Sequence, residues 1–162
     1  MLRRLASVGA ATAIIAGVAC AQGDLVRPGE GTYYLGGGAR WTSISGSNNF
    51  AVSATGGYLF TKNIAGELSW GYTDTFGEWQ STIGLKAKYL FGDNAEFVPY
   101  LDAGAVYSAI SGTNDTEYEV GAGFDYFIKP HQSIYVDVQA YKLGFDFDWT
   151  WDTSIGFRVW FK

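Results

Sequence analysis

The sequence predicts an all-β fold, an eight-stranded antiparallel up-and-down transmembrane β-barrel. Three observations predict it. From Gly31 onward, apolar and polar residues alternate with period two in eight segments separated by turn residues. The charges inside those segments fall on one face, interleaved with glycine. Large aromatics gather at the segment ends on the other face. Composition agrees: aromatics make up 17% and there are 22 Gly, yet mean hydropathy is close to zero, as expected when a lipid-facing and a lumen-facing set cancel.

The first residues read as a secretory signal peptide. Arg3-Arg4 supply a positive start, an apolar run extends from Leu5 to Val18, and Ala19-Cys20-Ala21 forms an A-x-A cleavage site. A spanning helix needs roughly 20 apolar residues, so the run is too short to anchor the chain. Cleavage is expected after Ala21, giving a signal peptide at 1–21, an N-terminal periplasmic tail at 22–30 and the barrel at 31–162. Lipidation of Cys20 is the weaker reading, because Gly17 stands where such a site usually places Leu. Twin-arginine export finds no support in Leu2, Leu5 and Ala6 around the arginine pair. With Cys20 removed, no thiol remains for a disulfide, a nucleophile or a metal site. The same cleavage leaves nine basic against sixteen acidic residues, a net −7, which argues against nucleic acid as a partner.

The strands follow in order, each with its apolar face. Strand one, Thr32–Trp41, shows Tyr33, Leu35, Gly37, Ala39 and Trp41. Strand two, Phe50–Phe60, shows Phe50, Val52, Ala54, Gly56, Tyr58 and Phe60. Strand three, Ile64–Thr73, shows Ile64, Gly66, Leu68, Trp70 and Tyr72. Strand four, Trp79–Phe91, shows Trp79, Ser81, Ile83, Leu85, Ala87, Tyr89 and Phe91. Strand five, Pro99–Ala109, shows Leu101, Ala103, Ala105 and Tyr107. Strand six, Glu117–Ile128, shows Tyr118, Val120, Ala122, Phe124, Tyr126 and Ile128. Strand seven, Ser133–Tyr141, shows Ile134, Val136, Val138 and Ala140. Strand eight, Trp149–Phe161, shows Trp149, Trp151, Thr153, Ile155, Phe157, Val159 and Phe161.

The opposite face carries Arg40, Glu67, Lys86, Lys88, Asp102, Glu117, Glu119, Asp125, Asp137, Asp152 and Arg158. Strands four, six and eight hold more than one charge, and within each the phases agree. An eight-stranded barrel has room inside for side chains only, with small residues beside bulky ones. Charge plus glycine therefore suits the interior, and continuous Leu, Phe and Trp suit lipid. An even strand number puts both termini in the periplasm. The aromatics then sort by depth: Trp41, Trp70, Trp79, Trp149 and Trp151 near the outer interface, and Tyr58, Phe60, Tyr89, Phe91 and Phe161 near the inner one, as two girdles. Outer loops are expected at Thr42–Asn49, Asp74–Glu78, Ile110–Thr116 and Lys142–Asp148.

Against this background the chain resembles the small outer-membrane β-barrel families of the OmpA membrane domain and OmpX, within the wider porin-family barrels. The segment Phe97-Val-Pro-Tyr-Leu-Asp-Ala-Gly-Ala105 resembles their fifth-strand entry, and Val120-Gly-Ala-Gly-Phe-Asp-Tyr-Phe-Ile128 their sixth strand. Ile155-Gly-Phe-Arg-Val-Trp-Phe161 resembles the alternating terminal signal read by the barrel-assembly machinery, with Lys162 following the aromatic. The resemblance implies residence in the outer membrane among lipid and lipopolysaccharide, biogenesis through that machinery, and a monomer. It does not specify an activity, since fold does not imply function.

The main constellation is the interior charge network of Arg40, Glu67, Lys86, Lys88, Asp102, Asp125, Asp137 and Arg158. Adjacent strands suggest the pairs Glu67–Lys86, Lys88–Asp102 and Asp137–Arg158, because a buried charge is tolerated only when paired. Its expected role is structural. Asp74, Glu78, Asp115, Glu117, Glu119, Asp146, Asp148 and Asp152 suggest a solvated acidic rim at the outer end. Asp146-x-Asp148 lacks the glycine and glutamate of a calcium loop. The one histidine, His131, falls in a turn beside Pro130 with no nucleophile indicated. Gly36-Gly37-Gly38 and Gly121-x-Gly123 precede no helix and so are not nucleotide loops. No catalytic, cofactor or metal residue is expected. The expected function is a structural, envelope-integrity or surface-interaction role with a filled polar interior. The alternative is a narrow channel for small or apolar solutes, as in OmpW-like barrels. A lipocalin-like carrier with inverted faces and an enzyme acting on lipid A rank below these.

Overall fold

The structure is a computed structural model and describes residues 27–44, 47–75, 78–93, 96–110, 113–143 and 149–162. The expected signal peptide 1–21, including Cys20, and the first half of the expected tail lie outside the described residues, as do the acidic loop positions Asp146 and Asp148.

Eight strands close into one antiparallel barrel: β1 (Tyr33–Ile44), β2 (Ser47–Leu59), β3 (Ile64–Thr75), β4 (Glu78–Leu90), β5 (Phe97–Ile110), β6 (Thr113–Lys129), β7 (Gln132–Leu143) and β8 (Trp149–Phe161). Each strand pairs with the next in sequence, and β1 pairs with β8, so the sheet has no free edge. The ladders run further than the alternation predicts. Among the described residues, those expected in the loops Thr42–Asn49, Asp74–Glu78 and Ile110–Thr116 are strand, as are Lys142 and Leu143 at the start of the expected Lys142–Asp148 loop, because polar Ser, Thr and Asn are acceptable to a ladder once the barrel core has set its register.

Register fixes the barrel's shape. Stepping rung by rung from Tyr33 through Tyr58, Gly66, Ala87, Ala103, Val120, Ala140 and Trp151 returns to Ser43, ten residues further along β1. A shear of this size in a small barrel tilts the strands by about 40° to the axis. The end that carries both strand termini is closed by short turns. Gly92, at φ 72°, lies between β4 and β5, and Gly31, at φ 80°, sits in the turn ahead of β1. The β6–β7 connection is two residues, Pro130 and His131, beside a bulge between Phe127 and Lys129.

The two faces sort as the alternation demands. Leu85 is 66% exposed, and Leu35, Leu68, Ile83, Leu101 and Ile155 also point outward. Ala140 lies on this face by register but is covered, since it is a small side chain between Val120 and Trp151. Of the aromatic positions, Trp41, Trp70, Trp151, Tyr58, Phe60, Tyr89 and Phe91 are outward and exposed, while Phe161 is half-buried against the Tyr33 ring at 5.2 Å. The side chains of Trp79 and Trp149 lie outside the described residues. Inward positions include Glu67, Lys88, Asp102, Asp125, Asp137 and Arg158, all buried.

The lumen as candidate functional site

The lumen is built in tiers, beginning at the turn end. There Tyr34, Leu59, Leu90, Val98, Phe127 and Trp160, contributed by β1, β2, β4, β5, β6 and β8, belong to one buried apolar cluster. The Trp160 ring packs on Tyr34 at 4.5 Å and on Phe127 at 5.4 Å between centroids. Its indole N–H donates to Ser133 Oγ at 2.9 Å, and the Ser133 hydroxyl donates to Asp125 Oδ1 at 2.7 Å, linking this layer to the one above. Rings this large fit only where the facing strand has no side chain. The Tyr34 ring occupies the place a Cβ on Gly57 would take, and Tyr135 does the same over Gly38 and Gly156.

Above this layer sits the ionic tier, centred on Arg158, which is 1% exposed. Arg158 donates from Nη1 to Asp125 Oδ2 at 2.7 Å and from Nη2 to Glu67 Oε2 at 3.2 Å. Glu67 Oε2 also meets Lys88 Nζ at 2.8 Å and accepts the Tyr34 hydroxyl at 2.6 Å. The guanidinium carbon lies 4.0 Å from the Tyr135 ring centroid, and Lys88 Nζ lies 4.3 Å from that of Tyr100. Both are cation–π distances. Further toward the loop end, Lys86 pairs with Glu119 at 3.3 Å and Arg40 with Asp152 at 3.5 Å. Between these pairs and the Arg158 tier lies a polar cavity of about 40 Å³, lined among others by Thr55, Lys86, Glu119, Asp137 and Gln139.

All eight residues of the expected charge network line this interior, but the expected pairs are not the ones formed. Glu67 binds Lys88 and Arg158 rather than Lys86. Asp102 accepts from Gln139 rather than binding Lys88, and Asp137 accepts from Tyr100 and Gln139 rather than binding Arg158. The reason is geometric. Glu67 and Lys86, or Lys88 and Asp102, are rung partners, but strand tilt puts rung partners at different depths. Inward groups at one depth instead meet across the narrow bore, skipping one strand or two: Lys86 of β4 with Glu119 of β6, and Arg158 of β8 with Glu67 of β3. The acidic rim also needs correction. Glu119 and Asp152 are buried members of the lumen network, while Asp115 is exposed and Glu117 half-buried. The side chains of Asp74 and Glu78 lie outside the described residues.

The alternation did not reveal the apolar tier. Its signal was available as doublets that break the period of two at one end of the strands: Tyr33-Tyr34, Leu59-Phe60, Leu90-Phe91, Phe97-Val98, Phe127-Ile128 and Trp160-Phe161. In each doublet one residue faces lipid and the other seals the lumen. Tyr100, Tyr135 and Gln139 were also missed, since isolated polar or aromatic residues on a lumen phase carry no periodic signal. His131 lies exposed in the β6–β7 turn, where the sequence put it.

Comparison with known proteins follows the same geometry. The outer membrane protein beta-barrel domain family matches residues 9–161. An uncharacterized outer-membrane protein of Sinorhizobium fredii, y4mB, is 28% identical over 142 residues; the match covers 73% of this chain and 61% of that protein, so the chain spans less than two thirds of its relative. The N-terminal β-barrel domain of Pseudomonas aeruginosa OprF superposes with a TM-score of 0.67 at 21% identity, covering 83% of this chain and all of that one. OprG of the same organism superposes with a TM-score of 0.66 at 16% identity, covering 85% of this chain and 99% of that one. At these identities the two structures speak for the fold alone.

Proposed function

This chain belongs to the outer membrane protein beta-barrel domain family, and from that premise we propose that it is a non-conducting, non-catalytic barrel with a structural, envelope-integrity or surface-interaction role. One observation carries the reading: the apolar tier beneath Arg158. A pore needs continuous water from mouth to mouth, and an apolar constriction breaks that column by excluding water. Leu59 and Val98 in this layer have no exposure, and Phe127 and Trp160 nearly none. In the ionic tier above, Arg158 pairs with both Asp125 and Glu67, so moving it aside strands Asp125 and takes one of two cations from Glu67, at a cost on the order of 3–5 kcal/mol.

The reading extends to the whole life of the chain. Export uses a cleaved signal peptide at 1–21, leaving a periplasmic tail at 22–30 and the barrel at 31–162. The barrel-assembly machinery inserts it with both termini in the periplasm. It works as a monomer among lipid and lipopolysaccharide, its aromatic girdles at the two headgroup levels, and it has no nucleic-acid partner. Arg27 supports a tail held against the barrel base: it donates to the Lys62 carbonyl at 2.9 Å and pairs with Asp93 at 3.2 Å.

Planar-bilayer recording of the purified barrel tests the reading. The expected result is insertion without a stable open level. A reproducible open level in most insertions overturns it and favours the narrow channel for small or apolar solutes.

A further inference from the structure

The lumen charges do not balance among the described residues. Each cation is committed: Arg40 to Asp152, Lys86 to Glu119, Lys88 to Glu67, and Arg158 to Glu67 and Asp125. Two further carboxylates, Asp102 and Asp137, are 6% and 4% exposed and form no ion pair. They share one carboxamide. Gln139 Nε2 donates to Asp102 Oδ1 at 3.0 Å and also to Asp137 Oδ1, and the Tyr100 hydroxyl donates to Asp137 Oδ2 at 3.3 Å. Two buried like charges held by neutral donors are unstable unless a positive charge joins them.

A second, independent feature points to where that charge sits. Gln139 is 3% exposed, and its Oε1 has no hydrogen-bond partner. Gln139 and Asp137 both line the lumen cavity, together with the hydroxyls of Ser53, Thr55 and Ser154 and with the cations Arg40, Lys86 and Arg158, each of which is already paired with a carboxylate; Thr55 Oγ1 is likewise unpartnered. A buried carbonyl oxygen left bare costs free energy that a ligand facing it recovers. A cavity of about 40 Å³ holds a small ion with a water or two. Arg40, at the cavity wall, keeps 25% of its side chain exposed, which marks the approach from the loop end.

We propose that Asp102, Asp137 and Gln139, the last two at the wall of the lumen cavity, bind one monovalent inorganic cation inside the barrel. The ligand set is all oxygen, which selects hard cations over transition metals. Two carboxylates fall short of the ligand charge and number that calcium takes, and no group of three or more His, Cys, Asp or Glu suited to a metal occurs among the described residues. The nearby ammonium groups of Lys86 and Lys88 are engaged by Glu119 and Glu67, so they do not replace the ion. The site stands whether or not the lumen conducts.

The test uses the full-length barrel folded in detergent micelles. Its unfolding midpoint is followed by heat-modifiable gel migration at fixed pH and ionic strength, with NaCl replacing N-methyl-D-glucamine chloride. Sodium is expected to raise the midpoint by about 5 °C and then saturate, as ligand linkage requires, and Asp137→Asn is expected to flatten the response. Superimposable midpoints for the wild-type barrel in the two salts overturn the proposal and assign the missing positive charge to a proton. If Asp137→Asn fails to fold, crystals grown in RbCl decide. An anomalous peak beside Asp137 and Gln139 supports the site, and water-only density there overturns it.

Discussion

The two ends of this lumen solve the same packing problem with opposite chemistry. At the turn end, Leu59, Leu90, Val98, Phe127 and Trp160 fill the bore with apolar volume. One layer further in, Arg158, Glu67, Lys88 and Asp125 fill it with paired charge. The apolar tier gains from leaving water and tolerates imperfect orientation. The ionic tier breaks even only while every partner is in place. The polar cavity lies on the far side of the charges from the apolar tier, so the apolar layer seals and the charged layer fixes which strands face one another.

That contrast can be broken most severely at Arg158. Arg158→Met leaves Asp125 and Glu67 buried without their shared cation and is expected to cost on the order of 3–5 kcal/mol, read as a fall in the temperature at which the heat-modifiable band shifts. An unchanged shift temperature would mean the ionic tier is dispensable. Leu59→Ala opens the seal instead. It is expected to cost about 3 kcal/mol and to give brief conductance steps where the wild-type barrel gives none; a silent variant would place the barrier elsewhere. Gly156→Val sharpens the boundary between tiers, because its new side chain meets the Tyr135 ring and the Gly37 carbonyl. Overpacking of this kind costs about 2 kcal/mol, visible as a lower urea midpoint in lipid-folded samples. The smallest effect belongs to Arg40→Gln, since Arg40 pairs with Asp152 at 3.5 Å and is partly exposed. Asp152 is buried, so a loss of about 1–2 kcal/mol is expected, held down because Arg40 is partly open to water and the Gln amide can still donate to the carboxylate; a loss matching that of Arg158→Met would erase the distinction between the mouth side of the lumen and its core.

The difference between the tiers also explains what the sequence made legible. Strand number, phase and the lipid face are written in a period of two, and Leu35, Leu85 and Ile155 could be placed outward from the alternation alone. The identity of the lumen charges followed from the same phase. Their partners did not, because partner choice depends on shear, and shear is set by how β8 closes on β1, a contact between the two ends of the sheet. The apolar tier was hidden for another reason. Leu90 and Trp160 sit on the polar phase beside Phe91 and Phe161, so a rule that expects charge inside reads them as noise at a strand end. The tyrosines around Arg158 likewise become meaningful only once Gly38, Gly57 and Gly156 are seen to vacate the space their rings occupy.

Everything here depends on which face meets hydrocarbon, and site-directed spin labelling tests that most directly. Labels placed singly at Leu35, Leu85 and Ile155 in lipid-reconstituted barrels should collide freely with oxygen and poorly with a water-soluble nickel chelate. Labels at the inward positions Ser69 and Ser154 should be shielded from oxygen and immobilised. The reverse, with Leu85 wet or immobilised and Ser69 in contact with lipid, would contradict the account.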